Sequence, residues 1–358
     1  MLTRRTFLSL AALAPVVMNA SPGAAQADRR NSLDTIIGAV PALPSGAANW
    51  PMQILRYADI GSYLAQNGLE PFPDQLTDDD TPKLIGLSRL PLDDRIFSYA
   101  LAADWQALIG ISIGDISQTL NAFDPPETVR AFTGAFSRDR IANAFDALDY
   151  ADASTADLLV RSNPDSESLD PAIELQRIGV GAFNFIIATD ELFVALRNED
   201  QFEQCLKVMT GDDDSLEDNW STFGMASATR GLTGYSVFPG SMLAERNQRL
   251  ATQDAGDLLP PAVLFAGGIV FSGPDATAQY LVEFGDHDAA TAAVPIVEDR
   301  IRSGISMSRY TYEELLGETT VEALDDTGVV RVTCSNPEMP LRWERMISQF
   351  DLGFLATE

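Results

Sequence analysis

The sequence predicts an α+β protein with two antiparallel-sheet units, each backed by helices. Segments with the alternation of a β-strand stand beside helices with one apolar face, and this combination occurs in both the middle and the last third of the chain. The segments do not follow the strict strand–helix alternation of a doubly wound parallel sheet. A chain of 358 residues, 46% of them hydrophobic, can bury one large core or two moderate ones.

The clearest strand–helix pair runs from Thr128 to Tyr150. Residues 129–136 alternate well enough to form a strand, and Ser137 breaks that pattern before a helix of different period. Four apolar side chains share one face of this helix: Ile141, Ala144, Phe145 and Leu148. Because a strand followed by a one-faced helix needs further sheet to cover it, we expect this pair to organise the first unit.

Composition and pattern divide the chain into six segments. We expect a signal peptide at residues 1–27, a linker at 28–50, a partly helical N-terminal segment at 51–126, a first α+β unit at 127–240, a connector at 241–262 and a second α+β unit at 263–358. The linker is rich in Ala, Pro, Ser and Gly. Each unit resembles a ferredoxin-like sandwich. The two units suggest an old duplication, although they do not align residue by residue.

Caps and apolar spacing predict the elements up to the end of the first unit. Between residues 51 and 126 we expect helices, the second ending near Gly110, with a strand over the first few residues as the alternative. Two apolar runs around Asp190 predict a hairpin. Asn198 is expected to cap the next helix, whose inward-facing residues are Phe202, Cys205, Leu206 and Met209.

The second unit begins with strand candidates at residues 263–271 and 279–284. A helix from Asp288 to Arg302 follows, and Pro295 should kink this helix or mark its true start. A further strand pair and a helix that starts at Pro340 complete the unit. The strands of that pair are expected at residues 319–324 and 329–334.

The N-terminus carries the pattern of an export signal. Residues 3–8 spell Thr-Arg-Arg-Thr-Phe-Leu, which resembles the twin-arginine signal apart from Ser9, where that signal often has lysine. An apolar run precedes Ala25-Gln26-Ala27, and these small residues predict cleavage before Asp28. An ordinary secretory signal with adjacent arginines is the alternative. We expect a soluble mature chain in the periplasm or outside the cell, exported by the twin-arginine pathway.

The charge balance excludes several classes of partner. The sequence has 52 Asp and Glu against 24 Lys and Arg, and its formal net charge is -28 at pH 7. Such a surface repels nucleic-acid phosphates and anionic lipids. We therefore expect no nucleic acid and no anionic membrane as partner, but an unidentified protein or small molecule. Solubility is the simplest reason for the acidity.

The sequence lacks the residues of common cofactor sites. Two cysteines, Cys205 and Cys334, cannot hold an iron–sulfur cluster on their own, and a single histidine, His287, excludes His-rich metal centres. We expect no cofactor and no metal. The cysteines fall in different units, and an oxidising compartment permits a disulfide between them. Two separate buried thiols are the favoured interpretation, and the disulfide is the alternative.

One string has the pattern of a catalytic motif. Residues 110–114 spell Gly-Ile-Ser-Ile-Gly, which matches the G-x-S-x-G nucleophile elbow. With Asp275 or Asp286 and then His287, the order would be Ser112, Asp, His. A serine hydrolase that uses Ser112 and His287 is therefore the alternative function. Against it, the preceding segment has a helical pattern, whereas the elbow follows a buried strand.

Two acidic runs, Asp78–Asp80 and Asp212–Asp214, have the oxygen ligands that calcium prefers. Neither run fits the EF-hand spacing, and the glycine that this loop needs is missing. Solvated loop acids and helix caps are the simpler interpretation. Calcium-dependent adhesion is therefore the weaker of the alternative functions.

Residues 308–312 place aromatic and cationic side chains on an otherwise acidic protein. Such residues are enriched where surfaces bind partners, although ordinary sheet-surface aromatics give the same pattern. Since no catalytic or cofactor site is evident, the sequence favours an exported, non-enzymatic binding or structural module. Enzymes that use only carboxylates escape this argument.

Overall fold

The computed structural model describes residues 36–41, 54–73, 76–92, 105–124, 127–163, 175, 181–220, 223–247, 258–272, 275–325, 327–335 and 342–357. The predicted signal peptide lies outside these ranges. None of the described helices has both the length and the apolar character needed to cross a membrane.

A single antiparallel sheet forms the middle of the protein. Its twelve described strands lie in the order β11-β12-β10-β9-β8-β1-β2-β3-β7-β6-β5-β4. The strands are β1 Ile54–Asp59, β2 Ile116–Asp124, β3 Glu127–Gly134, β4 Ala151–Asp152, β5 Leu159–Ser162, β6 Phe185–Ala188, β7 Leu192–Leu196, β8 Gly234–Pro239, β9 Leu264–Ser272, β10 Asp275–Glu283, β11 Thr319–Ala323 and β12 Val329–Cys334.

The α+β class is confirmed, but the prediction of two separate ferredoxin-like sheets is wrong. Strand β8 pairs with β1 on one side and with β9 on the other, so the sheet is continuous through the chain. At the β1–β8 seam, Leu55 lies opposite Val237 and Ala58 lies opposite Gly234. Joining the strands here satisfies backbone groups that two separate sheets would leave at open edges.

The two halves of the sheet share one connectivity. Outward from the seam, the first five strands are β1-β2-β3-β7-β6 in one half and β8-β9-β10-β12-β11 in the other, and β5 and β4 extend the first half further. In each half a helix follows the first strand, a hairpin comes next, and a second helix follows the hairpin; the outer pair comes after that helix, in the first half with β4 and β5 in between. This is the connectivity expected of the duplication, which stays a prediction. The segment 51–126, expected to be partly helical with a strand over its first residues as the alternative, supplies β1 and β2 as well as α-helices.

Helices cover both faces of the sheet. The described α-helices are α1 Ile60–Gln66, α2 Thr81–Leu87, α3 Trp105–Ile109, α4 Arg138–Asp146, α5 Glu199–Thr210, α6 Leu216–Trp220, α7 Gly224–Ala228, α8 Gly240–Asn247, α9 His287–Ser303, α10 Tyr312–Leu316 and α11 Trp343–Gln349.

Two apolar cores lie on opposite faces of the sheet. The first core joins Ile54 and Ala58 of β1 to residues of α1, α3, α4, α9 and α11. The second core joins Leu55 and Tyr57 of the same strand to residues of α5, α6 and α7. Because successive residues of a strand point to opposite faces, one strand contributes to both cores.

The two helices with the strongest sequence signals form as predicted. Ser137 caps α4 by accepting a hydrogen bond from the Arg140 N–H at 3.3 Å. Asn198 caps α5 in the same way, and Gly211 ends that helix with a φ of 81°. In α9, by contrast, Pro295 lies inside a helix that starts at His287, so it does not mark the helix start.

Candidate functional site

Ser112 and His287 are not brought together. Three strands, β1, β8 and β9, separate β2 from β10, which amounts to about 19 Å at about 4.8 Å per strand. Ser112 precedes the first residue of β2, whereas His287 follows the last residue of β10. The antiparallel register places the start of β2 and the end of β10 at opposite ends of the strands, so the two residues also lie a strand length apart. The geometry therefore provides no serine–histidine pair.

Each residue of that proposed pair has a local structural role. Ser112 is buried, and its N–H donates to the Asp115 carboxylate at 2.8 Å across a tight turn. The His287 ring is exposed at the start of α9, with its nitrogens 3.3 Å from the Thr327 carbonyl oxygen and from the Thr291 hydroxyl. Both sets of contacts are those of residues at the ends of elements.

The two cysteines are free and buried in this structure. Cys205 belongs to the second core and Cys334 to the first, so the sheet lies between them. Burial raises the pKa of both thiols, that of Cys334 to about 12. Both are therefore protonated and unreactive in the folded protein.

The acidic runs are engaged in local hydrogen bonds. Asp80 accepts from the Thr77 N–H at 2.9 Å and from Lys83 at 3.2 Å, and the backbone bond from Thr77 is the main cause of its lowered pKa. Asp212 accepts from the Thr210 hydroxyl at 2.9 Å. Among the described residues, no group of three or more His, Cys, Asp or Glu side chains is placed to hold a metal.

One surface feature stands apart, and it lies in the segment 304–311, named here the apolar loop. This loop connects α9 to α10. Three large apolar side chains protrude from it: Ile305 is 66% exposed, Met307 57% and Tyr310 58%. In the part of the chain that the structure describes, only Ile85 in α2 is a comparably exposed large hydrophobic residue. The apolar loop thus brings together large exposed apolar side chains, which on most protein surfaces occur singly.

Backbone hydrogen bonds fix the shape of the apolar loop. The Ser306 N–H donates to the Tyr310 carbonyl at 2.8 Å, and the Arg309 N–H donates to the Ser306 carbonyl at 2.9 Å. The Tyr312 N–H closes the base by donating to the Gly304 carbonyl at 3.0 Å. Arg309 adopts a φ of 66°, which is unusual for a residue other than glycine. The three apolar side chains are therefore presented on a constrained turn.

The C-terminal segment anchors the apolar loop from beneath. One oxygen of buried Asp351 accepts hydrogen bonds from the Met307 N–H at 2.9 Å and from the Tyr312 hydroxyl at 3.0 Å. The Tyr312 hydroxyl in turn accepts from the Gly353 N–H at 2.9 Å. Burial, reinforced by the Asp351 charge, raises the pKa of Tyr312, so its hydroxyl keeps the proton that it donates.

A short stretch of the sequence without acidic residues runs from the end of α9 through the apolar loop. From Arg300 to Tyr312 the sequence contains three arginines and no Asp or Glu. Arg300 donates to the Ala356 carbonyl at 2.8 Å, and Arg302 lies 3.6 Å from Asp299 in an exposed pair that contributes little. Arg309 is exposed at the tip. On a chain of net charge -28, this segment is a local exception.

The sequence identified only part of this surface. It singled out residues 308–312, of which Tyr310 is exposed but Tyr312 is buried. It missed Ile305 and Met307, and it missed Asp351, which lies 44 positions from Met307 in the chain. The available signal was the alternation of apolar residues with serine just after the glycine that ends α9.

Comparison with known proteins gives weak likenesses only. No family model matches the chain, and no curated protein matches it. A solved structure titled crystal form I of TP0453 is 11% identical, covers 86% of this chain and 95% of its own, and has a TM-score of 0.40. Crystal form III of the same protein is 10% identical over 85% and 96% of the two chains, with a TM-score of 0.37. Likenesses this weak carry no inference for this chain.

Proposed function

We propose that the chain is an exported, acidic, non-enzymatic binding module that contacts a protein partner through the apolar loop. The observation that carries the proposal is the clustering of Ile305, Met307 and Tyr310, each more than half exposed, on a turn held by hydrogen bonds. A constrained apolar tip loses little conformational freedom on binding, which favours affinity.

The chemistry of the loop specifies the partner. The apolar tip fits an apolar pocket, and Arg309 at its edge fits a carboxylate on the rim of that pocket. The tip of the loop supplies a few hundred Å² of apolar surface at most, whereas a stable interface buries about 800 Å² on each partner. The tip is therefore the centre of a larger contact. A second copy of the chain is a poor partner, because two chains of charge -28 repel.

The separation of Ser112 from His287 supports a binding module over the serine-hydrolase alternative. The hydrolase hypothesis needs these side chains within hydrogen-bond reach, but they lie four strands apart and at opposite ends of the strands. A fluorophosphonate probe tests this directly. We expect no labelling of folded protein, and labelling that Ser112→Ala abolishes would overturn the proposal.

Export is tested with the arginine pair of the signal. We expect the double change Arg4→Lys and Arg5→Lys to retain the precursor inside the cell, because the twin-arginine pathway reads that pair. Undiminished export of the variant would show that the segment acts as an ordinary secretory signal. Absence of wild-type protein from the exported fraction would contradict export altogether.

Partner binding is tested by site-specific photo-crosslinking in the cells that produce the protein. A photoreactive phenylalanine replaces Tyr310, and the control variant carries it at Ile85, which is also more than half exposed but lies outside the loop. We expect a discrete protein adduct at position 310 that is absent at position 85 and reduced by Arg309→Glu. Identical adducts at both positions, no adduct, or adducts with lipid alone would overturn the proposal.

A further inference from the structure

Strand β11 forms one edge of the sheet, and its outer side is open. It pairs with β12 alone, over Thr319–Ala323. The other edge of the described sheet is β4, which has only two residues, Ala151–Asp152. Natural sheets usually blunt an edge with a very short strand, a proline, a bulge or a lysine, because an open edge can pair with another chain. Strand β11 has five residues with no proline, no bulge and no basic residue.

Hydrogen bonds at both ends of the β11–β12 ladder show which backbone groups face outward. The Ser335 N–H donates to the Glu318 carbonyl at 3.0 Å, and the Leu324 N–H donates to the Val329 carbonyl at 2.9 Å. In an antiparallel pair, positions that bond the partner strand alternate with positions that do not. The even-numbered residues from 318 to 324 therefore bond β12. The residues whose N–H and C=O groups point away from β12 are Thr319, Val321 and Ala323.

These outward backbone groups are open to a partner. Within the described part of the chain, no hydrogen bond reaches the N–H or the C=O group of Thr319, Val321 or Ala323. All three residues are partly exposed. Backbone groups at a surface bond water when the protein offers no partner, and an added strand can replace that water. Strand β11 thus presents donors and acceptors at the spacing of a β-sheet.

The side chains of β11 specify the pattern of a strand that fits beside it. Val321 and Ala323 pack against the first core, whereas Thr320 and Glu322 are exposed on the other face. Glu322 lies 3.5 Å from Arg331 of β12 and so already has a partner. Because side chains alternate along a strand, an added strand needs apolar residues at every second position and polar residues between them.

The acidity around β11 specifies the charge of that strand. Between Tyr312 and Asp326 the sequence contains six Asp or Glu residues and no Lys or Arg. Glu318, just before the strand, and Asp325, just after it, are both exposed. This edge therefore attracts a basic segment. A second copy of β11 would instead bring like charges together, which is destabilising.

We propose that β11 binds an extended basic segment of another protein, which adds a strand to the sheet. The backbone of that segment bonds the outward groups of Thr319, Val321 and Ala323. Its apolar side chains continue the face of β11 that packs against α9, and its Lys or Arg side chains lie on the open face. This site is separate from the apolar loop, so either site can be present without the other.

Calorimetric titration of the mature chain with short peptides tests this edge. The probe alternates lysine and valine, one control has the same residues in two blocks, and a second control alternates glutamate and valine. We expect the probe to bind at one site per chain, at least about tenfold more tightly than the block peptide, and the acidic peptide not to bind. No binding of the probe, or equal affinity of the two basic peptides, would overturn the proposal.

Two variants of Val321 separate strand addition from other contacts. Proline removes the outward N–H of Val321 and no N–H that bonds β12, whereas alanine keeps the outward N–H. We expect Val321→Pro to weaken binding of the probe at least about tenfold and Val321→Ala to change it about twofold or less. Equal affinity of the two variants would contradict strand addition. Dimers of the wild type that Val321→Pro abolishes would show that the edge pairs with itself, and would also overturn the proposal.

Amide hydrogen exchange of the wild type gives a readout that does not depend on a variant folding. Because Thr320 and Glu322 already bond β12, the probe should slow exchange at Thr319, Val321 and Ala323 and leave those two amides unchanged. Slower exchange that does not include the three outward amides would contradict the site.

Discussion

The Asp351 carboxylate accepts a hydrogen bond from the Tyr312 hydroxyl at 3.0 Å, and the same oxygen accepts the Met307 N–H at 2.9 Å. One buried oxygen thus joins the C-terminal segment to both the tip and the base of the apolar loop. This contact anchors the loop that carries the three exposed apolar side chains.

We expect Asp351→Ala to lower the free energy of unfolding by about 2–3 kcal/mol, because it leaves two donors without their charged acceptor. Asp351→Asn keeps an acceptor oxygen and should cost less. Urea denaturation measures both effects, and Asp299→Ala, in an exposed pair, should stay within about 0.5 kcal/mol. Unchanged stability of Asp351→Ala would show that the contact does not hold the loop.

Gly110→Ala should destabilise the protein by about 2 kcal/mol or more. Gly110 has a φ of 74°, and a Cβ atom there would lie 2.6 Å from the backbone carbonyl of Arg140 in α4. Gly110, the first glycine of the G-x-S-x-G match, is therefore explained by the end of α3 and by close packing against α4. Gly285→Ala, which meets nothing within 4 Å, is the matched control, and equal melting temperatures for the two variants would contradict this explanation.

Both cysteines should remain unreactive thiols in the exported protein. Burial raises the pKa of Cys205 and of Cys334 and also blocks access to them. We expect a thiol reagent to label neither residue in the native protein and both after denaturation without reductant. Recovery of labelled thiols only after reduction would demonstrate a disulfide and contradict the placement of the cysteines on opposite faces.

Glu283 should make stability depend on pH in a definite direction. Burial raises its pKa above the ordinary 4.5, although hydrogen bonds from the Met225 and Gly224 N–H groups partly offset this. The folded protein therefore binds this proton more tightly than the unfolded chain does. The stabilising contribution is greatest below pH 4.5 and is lost as pH rises through the raised folded pKa.

Urea denaturation of wild type and Glu283→Gln across this range isolates the effect. We expect the difference in unfolding free energy, wild type minus variant, to fall as pH rises above 4.5 and then to level off. Glu318→Gln, at an exposed position, controls for the lost charge. A difference that rises with pH would mean that the hydrogen bonds to α7 outweigh burial.

Sequence periodicity predicted the local elements best where one face is apolar and the other polar. Helices α4 and α5 have that pattern, with caps at Ser137 and Asn198, and both form where expected. Strand β2 was not predicted, because helices cover both faces of the sheet and Thr119 and Asn121 are buried beside Leu120 and Ala122. A strand buried on both faces has no polar alternation to reveal it.

Local sequence patterns do not predict that the strands of both halves join in a single sheet. The β1–β8 seam joins Leu55 to Val237, and nothing in either segment specifies the other as its partner. The apolar loop was found only in part for a similar reason. The exposure of Ile305 and Met307 depends on Asp351 and on the packing of α9 and α10, which are tertiary properties.

The most direct test of the central claim measures how tightly the purified crosslinked partner binds two forms of the protein. These are the wild type and the triple variant Ile305→Ser, Met307→Ser and Tyr310→Ser. Each truncation at an interface centre costs about 1–2 kcal/mol, so we expect the dissociation constant to rise at least about 100-fold. Ile85→Ser should leave it unchanged. Equal affinity of the wild type and the triple variant would contradict the account.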